Sequence, residues 1–135
     1  MTVERKSGYM CALVACMVSP LLAQAQTFTE AKFNIGGEGS HDYITAEAGT
    51  GRVFVSRATH VMVVDGRSGK VIGDILNTQQ VHGILLHTQT NHGFTTNRGD
   101  SSVTMFDLNT LAFIKKVSIK VGGLDGIMVT NGSRL

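Results

Sequence analysis

The sequence predicts an all-β fold built of four-stranded propeller blades, about two complete blades and the start of a third. Three observations carry this reading. Sixteen glycines stand against one proline in 135 residues, alongside many Val, Ile, Thr and Phe, a composition that favours strands joined by tight turns. Short apolar runs recur between turn signals. Above all, the runs recur in the same order: a small-residue strand, Val53-Phe54-Val55-Ser56 and then Gly93-Phe94-Thr95-Thr96, precedes a strand ending in aspartate, at Asp65 and again at Asp107. The step between copies is about 41 or 42 residues, the period of propeller blades.

The first segment is an address. Arg5 and Lys6 precede an apolar run over residues 10–23, which ends in Ala23-Gln24-Ala25. A charged start, a short apolar middle and an A-x-A exit describe a secretory signal, residues 1–25, with Gln26 as the first mature residue. The run is shorter than the roughly 20 residues of a membrane span, so no span is expected in the mature chain. Leu13-Val14-Ala15-Cys16 resembles a bacterial lipobox, which would anchor the chain at Cys16, but the residues after Cys16 stay apolar where a lipoprotein turns polar, and ordinary cleavage is the favoured reading. Export to the periplasm or the exterior follows. Cys11 and Cys16 both fall in the signal, leaving a mature domain held by packing rather than disulfides.

Residues 26–40 read as an N-terminal outer strand, 28–35, and a glycine-rich link. Blade one, residues 41–81, runs through an inner strand at 43–46, a turn at Ala48-Gly49-Thr50-Gly51, strands at 52–56 and 60–65, the turn Asp65-Gly66-Arg67-Ser68-Gly69, and an outer strand at 71–75. An aspartate opening a glycine-containing turn can accept nearby backbone N–H groups. Blade two, residues 82–124, repeats the order at 83–87, 93–96, 103–107 and 113–119, with a connection at 97–102 that is longer than its counterpart; loops accept insertions that strands do not. Blade three, residues 125–135, begins with a strand at 126–130 and a turn signal at Asn131-Gly132. With little more than two blades in the chain, the expectation is an N-terminal fragment of a longer propeller, whose unclosed blades favour self-association.

The formal charge of +2 is too small to imply a nucleic-acid or membrane surface field. Lys115-Lys116 reads as a solvated outer strand that resists pairing with other chains.

Several blocks lie in register at one period: Ile35-Gly36-Gly37-Glu38-Gly39 before His41-Asp42-Tyr43, Gly51-Arg52-Val53-Phe54-Val55-Ser56, Val64-Asp65-Gly66-Arg67-Ser68-Gly69-Lys70-Val71-Ile72-Gly73, and Asn97-Arg98-Gly99-Asp100-Ser101-Ser102-Val103. In these the mature chain, from about Phe28 onward, resembles the YVTN-type, or YncE-like, propeller repeat proteins of exported bacterial sequences. The resemblance implies a seven-bladed parent ring.

His41, His82 and Asp125 stand at the start of successive repeats and are the candidate ligand-binding residues, near one mouth of the channel a ring would enclose. Two imidazoles and a carboxylate suit zinc or iron; the competing reading is that they bond to loop backbone as part of the repeat, and whether a metal binds stays open. His60, His87 and His92 share no matched spacing. Gly36-Gly37-Glu38-Gly39 lacks the Lys-Ser/Thr of a phosphate loop, no Gly-x-Ser-x-Gly elbow exists, and no cysteine nucleophile survives cleavage. No catalytic residue and no cofactor is therefore expected. The reading is an exported, noncatalytic scaffold for an unknown ligand or protein; the alternatives are a lactonase-type propeller enzyme with a channel metal, drawing on His41, His82, Asp125 and Glu38, and a truncated product without function.

Overall fold

The computed structural model describes residues 27–130. The secretory signal, the lipobox at Cys16 and the Asn131-Gly132 turn lie outside the described residues. The chain divides into two units, Met1–Ala31 and Lys32–Leu135; the described residues of the first form neither helix nor strand.

The second unit is two antiparallel four-stranded sheets. The first sheet holds β1 (Ile44–Ala46), β2 (Arg52–Arg57), β3 (His60–Asp65) and β4 (Val71–Ile75), paired in that order. The second holds β5 (Val81–His87), β6 (His92–Asn97), β7 (Ser102–Asp107) and β8 (Phe113–Ser118), with a 3₁₀ turn at Thr88–Thr90 between its first two strands. Every pairing joins strands that are neighbours in sequence. The tight turns explain why. Asp65 Oδ1 accepts the N–H groups of Arg67 and Ser68 at 2.9 and 2.8 Å, and Asp107 Oδ1 accepts those of Asn109 and Thr110 at the same two distances. Each aspartate thereby folds its own turn and returns the chain as the next strand. Those bonds hold both carboxyls below the usual range, led at Asp65 by the Ser68 hydroxyl and at Asp107 by the Thr110 N–H.

The core lies between the sheets. Phe54, Val61, Val63 and Ile75 of the first sheet meet Val81, Ile84 and Phe106 of the second, together with Leu108 just beyond β7. The rings of Phe54 and Phe106 sit 6.2 Å apart between centroids, tilted by 33°, within the range where aromatic pairs attract. Burying each such side chain fully contributes about 1.5–3 kcal/mol. Polar bonds add direction to the contact: Thr45 Oγ1 donates to the Ile84 carbonyl at 2.9 Å, and Arg52 Nη1 to the Leu108 carbonyl at 2.6 Å.

Three expectations change. Residues 28–35 form no strand and pair with neither sheet. Instead the chain beyond them lies against the first sheet. Arg57 Nη2 donates to the carbonyls of Gly36 and Gly37 at 3.3 and 2.5 Å, and Gly37 sits so close that an added Cβ would fall 2.3 Å from Met62 Cε. Residues 126–130 make no ladder; just before them, Asp125 O accepts the Gly83 N–H of β5 at 3.1 Å. Finally, β5 begins two residues earlier than expected, at Val81, and carries a bulge between Val81 and Ile84.

Candidate functional site

The starts of the inner strands come together at one end of the two sheets. Ile44 pairs with Val55 on β2, and Ile84 pairs with Thr95 on β6. Val55 and Thr95 are equivalent, since Asp65 opposite Arg52 matches Asp107 opposite His92. In blade one the Asp42 N–H donates to Ser56 Oγ, and in blade two the Gly83 N–H donates to the equivalent Thr96 Oγ1, so a histidine, His41 or His82, precedes the donor in each blade.

The structure joins His82 to Asp42 and Asp125. His82 Nδ1 lies 2.5 Å from Asp42 Oδ2 and 3.4 Å from Asp125 Oδ1. The three donor atoms are all within 4.8 Å of one another. The imidazole is partly buried, its side chain 23% exposed, and the carboxylates face solvent. Backbone contacts hold each in place. Asp42 N–H donates to Ser56 Oγ at 3.1 Å, and that hydroxyl donates to Tyr43 O at 3.1 Å. In the second sheet, Gly83 N–H donates to Thr96 Oγ1 at 2.8 Å and Thr96 Oγ1 donates to Asp125 O. Gly83 has no room for a side chain here: a Cβ would stand 2.7 Å from Asp125 O.

His41 is near but separate. It lines a cleft of about 590 Å³ together with Asp42, Gln80, His82 and Arg98. The longer connection in the second sheet delivers Arg98 to this cleft, where its N–H donates to Gln80 O at 3.0 Å. Of the sequence candidates, the structure therefore brings His82 and Asp125 into one cluster and leaves His41 on the cleft wall. Asp42 and Arg98 are the residues that sequence reasoning missed. The negative charge of the cluster is felt by its neighbour: Asp125 foremost, and then the loss of solvent, raise the Tyr43 phenol above its ordinary value, with Asp42 adding to the effect.

The other histidines lie elsewhere. His60 Nε2 faces Asp74 at 3.7 Å, and His87 Nδ1 meets Thr90 Oγ1 at 2.7 Å inside the 3₁₀ turn. Glu38 offers its backbone carbonyl to Arg57 Nε at 3.2 Å.

Known structures share this architecture. The chain is similar to Kuenenia stuttgartiensis hydrazine synthase, with a TM-score of 0.59 and 20% identity over 74% of this chain and 29% of that one. It is similar as well to Citrobacter koseri AztD, with a TM-score of 0.52 and 12% identity over 67% of this chain and 29% of that one. Both are β-propeller proteins. The two sheets are propeller blades. Sheet one is blade one and sheet two is blade two, and the chain spans about 29% of the length of either similar structure. No protein-family model and no curated protein matches the sequence.

Proposed function

We propose that the chain is part of an exported, noncatalytic propeller of the YVTN-repeat type that binds a small ligand or a peptide segment at the rim cleft between blades one and two. The observation that carries this reading is the convergence of polar side chains from both blades, His41 and Asp42 with His82 and Arg98, on one cleft of about 590 Å³. A volume of that order suits a small molecule or a few residues of peptide. Positive Arg98 and negative Asp42 on its walls suit a ligand carrying both signs. Fold alone names no ligand; the cleft supplies the chemistry. The YVTN assignment rests on the repeated Asp-initiated turns at Asp65 and Asp107, whose bonding is the same in both blades. Export rests on the layout of residues 1–25. Among the described residues, no helix is long and apolar enough to cross a membrane.

Nitrogen-15 labelled chain titrated with triglycine, with acetate as a single-sign comparator, tests the cleft. Expected are triglycine shifts concentrated at residues 40–42, 80–82 and Arg98, and lost in Arg98→Glu. Shifts spread over the outer strands, or none at the cleft, would overturn the assignment. A metal-dependent enzyme of lactonase type is the second reading, favoured by the His82 cluster; lactone hydrolysis by the zinc-loaded chain, abolished in His82→Ala, would place it ahead.

A further inference from the structure

We infer that Asp42, His82 and Asp125 form a three-donor binding site for a divalent first-row transition metal at the channel rim. The inference deepens the rim-binding reading only in assigning a cation to one wall of the same cleft. Three features carry it.

The first is convergence from independent parts of the chain. Asp42 precedes β1, His82 lies in the bulge of β5, and Asp125 follows β8. Residues so far apart in sequence meet only because the blades stack. The second is the arrangement around a single nitrogen. His82 Nδ1 faces both carboxylates, at 2.5 and 3.4 Å, yet a ring nitrogen carries at most one proton and can donate fully to one acceptor. A cation bonded to all three donors serves both carboxylates at once, and its two positive charges balance theirs. The third is geometry. Zinc–ligand bonds of about 2.0–2.2 Å in a tetrahedron set neighbouring donors about 3.3 Å apart. The His82–Asp125 separation of 3.4 Å already meets that spacing, and the half-exposed Asp42 carboxylate would need to shift outward to match it.

One imidazole and two carboxylates favour zinc, manganese, iron or cobalt over calcium and magnesium. Calcium asks for six to eight oxygen donors, and magnesium prefers carboxylates and water. Asp42 and His82 also line the cleft, so an exogenous ligand bound there would have access to the metal, as in sites that keep an open position.

The test is zinc titration of the full chain carrying Cys11→Ser and Cys16→Ser, so that thiolates of the signal cannot bind the metal. One equivalent per chain is expected, with affinity at least tenfold weaker in His82→Ala and in Asp125→Asn and within twofold of the parent in His87→Ala. Magnesium should not compete. Asp42→Asn and Asp125→Asn keep side-chain volume, so they report on the site even where His82→Ala does not fold, with circular dichroism as the check. Paramagnetic broadening by cobalt in the unsubstituted protein needs no variant: His82 signals should broaden first among the histidines. A folded chain that binds no stoichiometric zinc, or that binds it equally after Asp125→Asn, overturns the inference, as does first broadening at His60, His87 or His92. Failure here leaves the triglycine shifts of the metal-free chain untouched, so the two readings fail separately.

Discussion

Arg52 shows how much one side chain can tie together at a blade interface. Its Nε and Nη2 fork onto Glu47 at 2.6 and 2.8 Å, its Nη1 crosses to the Leu108 carbonyl of blade two, and its guanidinium lies 5.5 Å from the centre of the Phe54 ring. Glu47 is nearly buried, with 5% of its side chain exposed, and also accepts the Thr50 hydroxyl. Removing the cation would strand that carboxylate, so Arg52→Ala is expected to cost about 3 kcal/mol, the scale for breaking a buried pair, read from denaturant unfolding at neutral pH. The Arg52 hydrogen bond foremost, with Thr50 assisting, holds the Glu47 carboxyl below its ordinary value. A depressed folded value means stability that is complete above the unfolded value of about 4.3 and is lost as pH falls through the folded one. Glu47→Gln should therefore be less stable than the parent at pH 7, with the gap narrowing on acidification below about pH 4.3. A gap that stays constant down to pH 3 would show that the ion pair does not set it. None of this was visible in the sequence, where Glu47 and Arg52 simply flank the turn Ala48-Gly49-Thr50-Gly51. The same blindness covers Asn97, assigned to a loop from its place beside Arg98-Gly99. It is fully buried, because its amide donates to both Ser102 and Thr104 while its carbonyl accepts from Thr95, a partner set that only the folded hairpin assembles.

At the scale of the element, the two blades use the same ladder with different volumes. Val53 faces Val64 in blade one, and at the equivalent place Gly93 faces Phe106 in blade two. A Cβ on Gly93 would stand 2.0 Å from the Phe106 ring, so the missing side chain makes the space the aromatic fills, a glycine covered by a cross-strand ring. Gly93→Val is expected to destabilise by about 3 kcal/mol through overpacking, whereas Gly93→Val with Phe106→Val reproduces the blade-one pair and should recover part of the loss. Thermal unfolding of the singles and the double closes the cycle; strict additivity would show that the pair is not coupled. Strand positions were the most legible part of the sequence, since alternation and turn chemistry are local and each strand's partner is its neighbour. All eight expected strands of blades one and two are present, within two residues at their ends. The strands expected at 28–35 and 126–130 are absent: neither segment pairs with a described strand. The site was half legible. Repetition pointed to the inner-strand starts and to His82 and Asp125, but Asp42 joins them only through the stacking of the blades, which no periodicity in the residue string records.

For the molecule as a whole, the same positions have different burial in the two blades. Phe54, Val61 and Val63 are fully buried where blade two covers them. Their equivalents Phe94, Val103 and Met105 are only partly buried, and Phe113, Ile114 and Val117 on β8 are exposed at 42–46%. Stacked repeats depend on neighbours for their apolar faces, and this face is expected to drive concentration-dependent association. Light scattering on size-exclusion fractions should show mass rising with loading, and Phe94→Lys with Met105→Lys should reduce it; a monomer at every concentration would show that this face does not drive association. The order of strands has one more consequence. Because each sheet closes with strands consecutive along the chain, no pairing inside blade one waits for any residue beyond Ile75. A polypeptide delivered end first, from a ribosome or through a narrow pore, can zip up its first sheet while the second is still arriving, and then use the finished surface as the template on which the next one condenses.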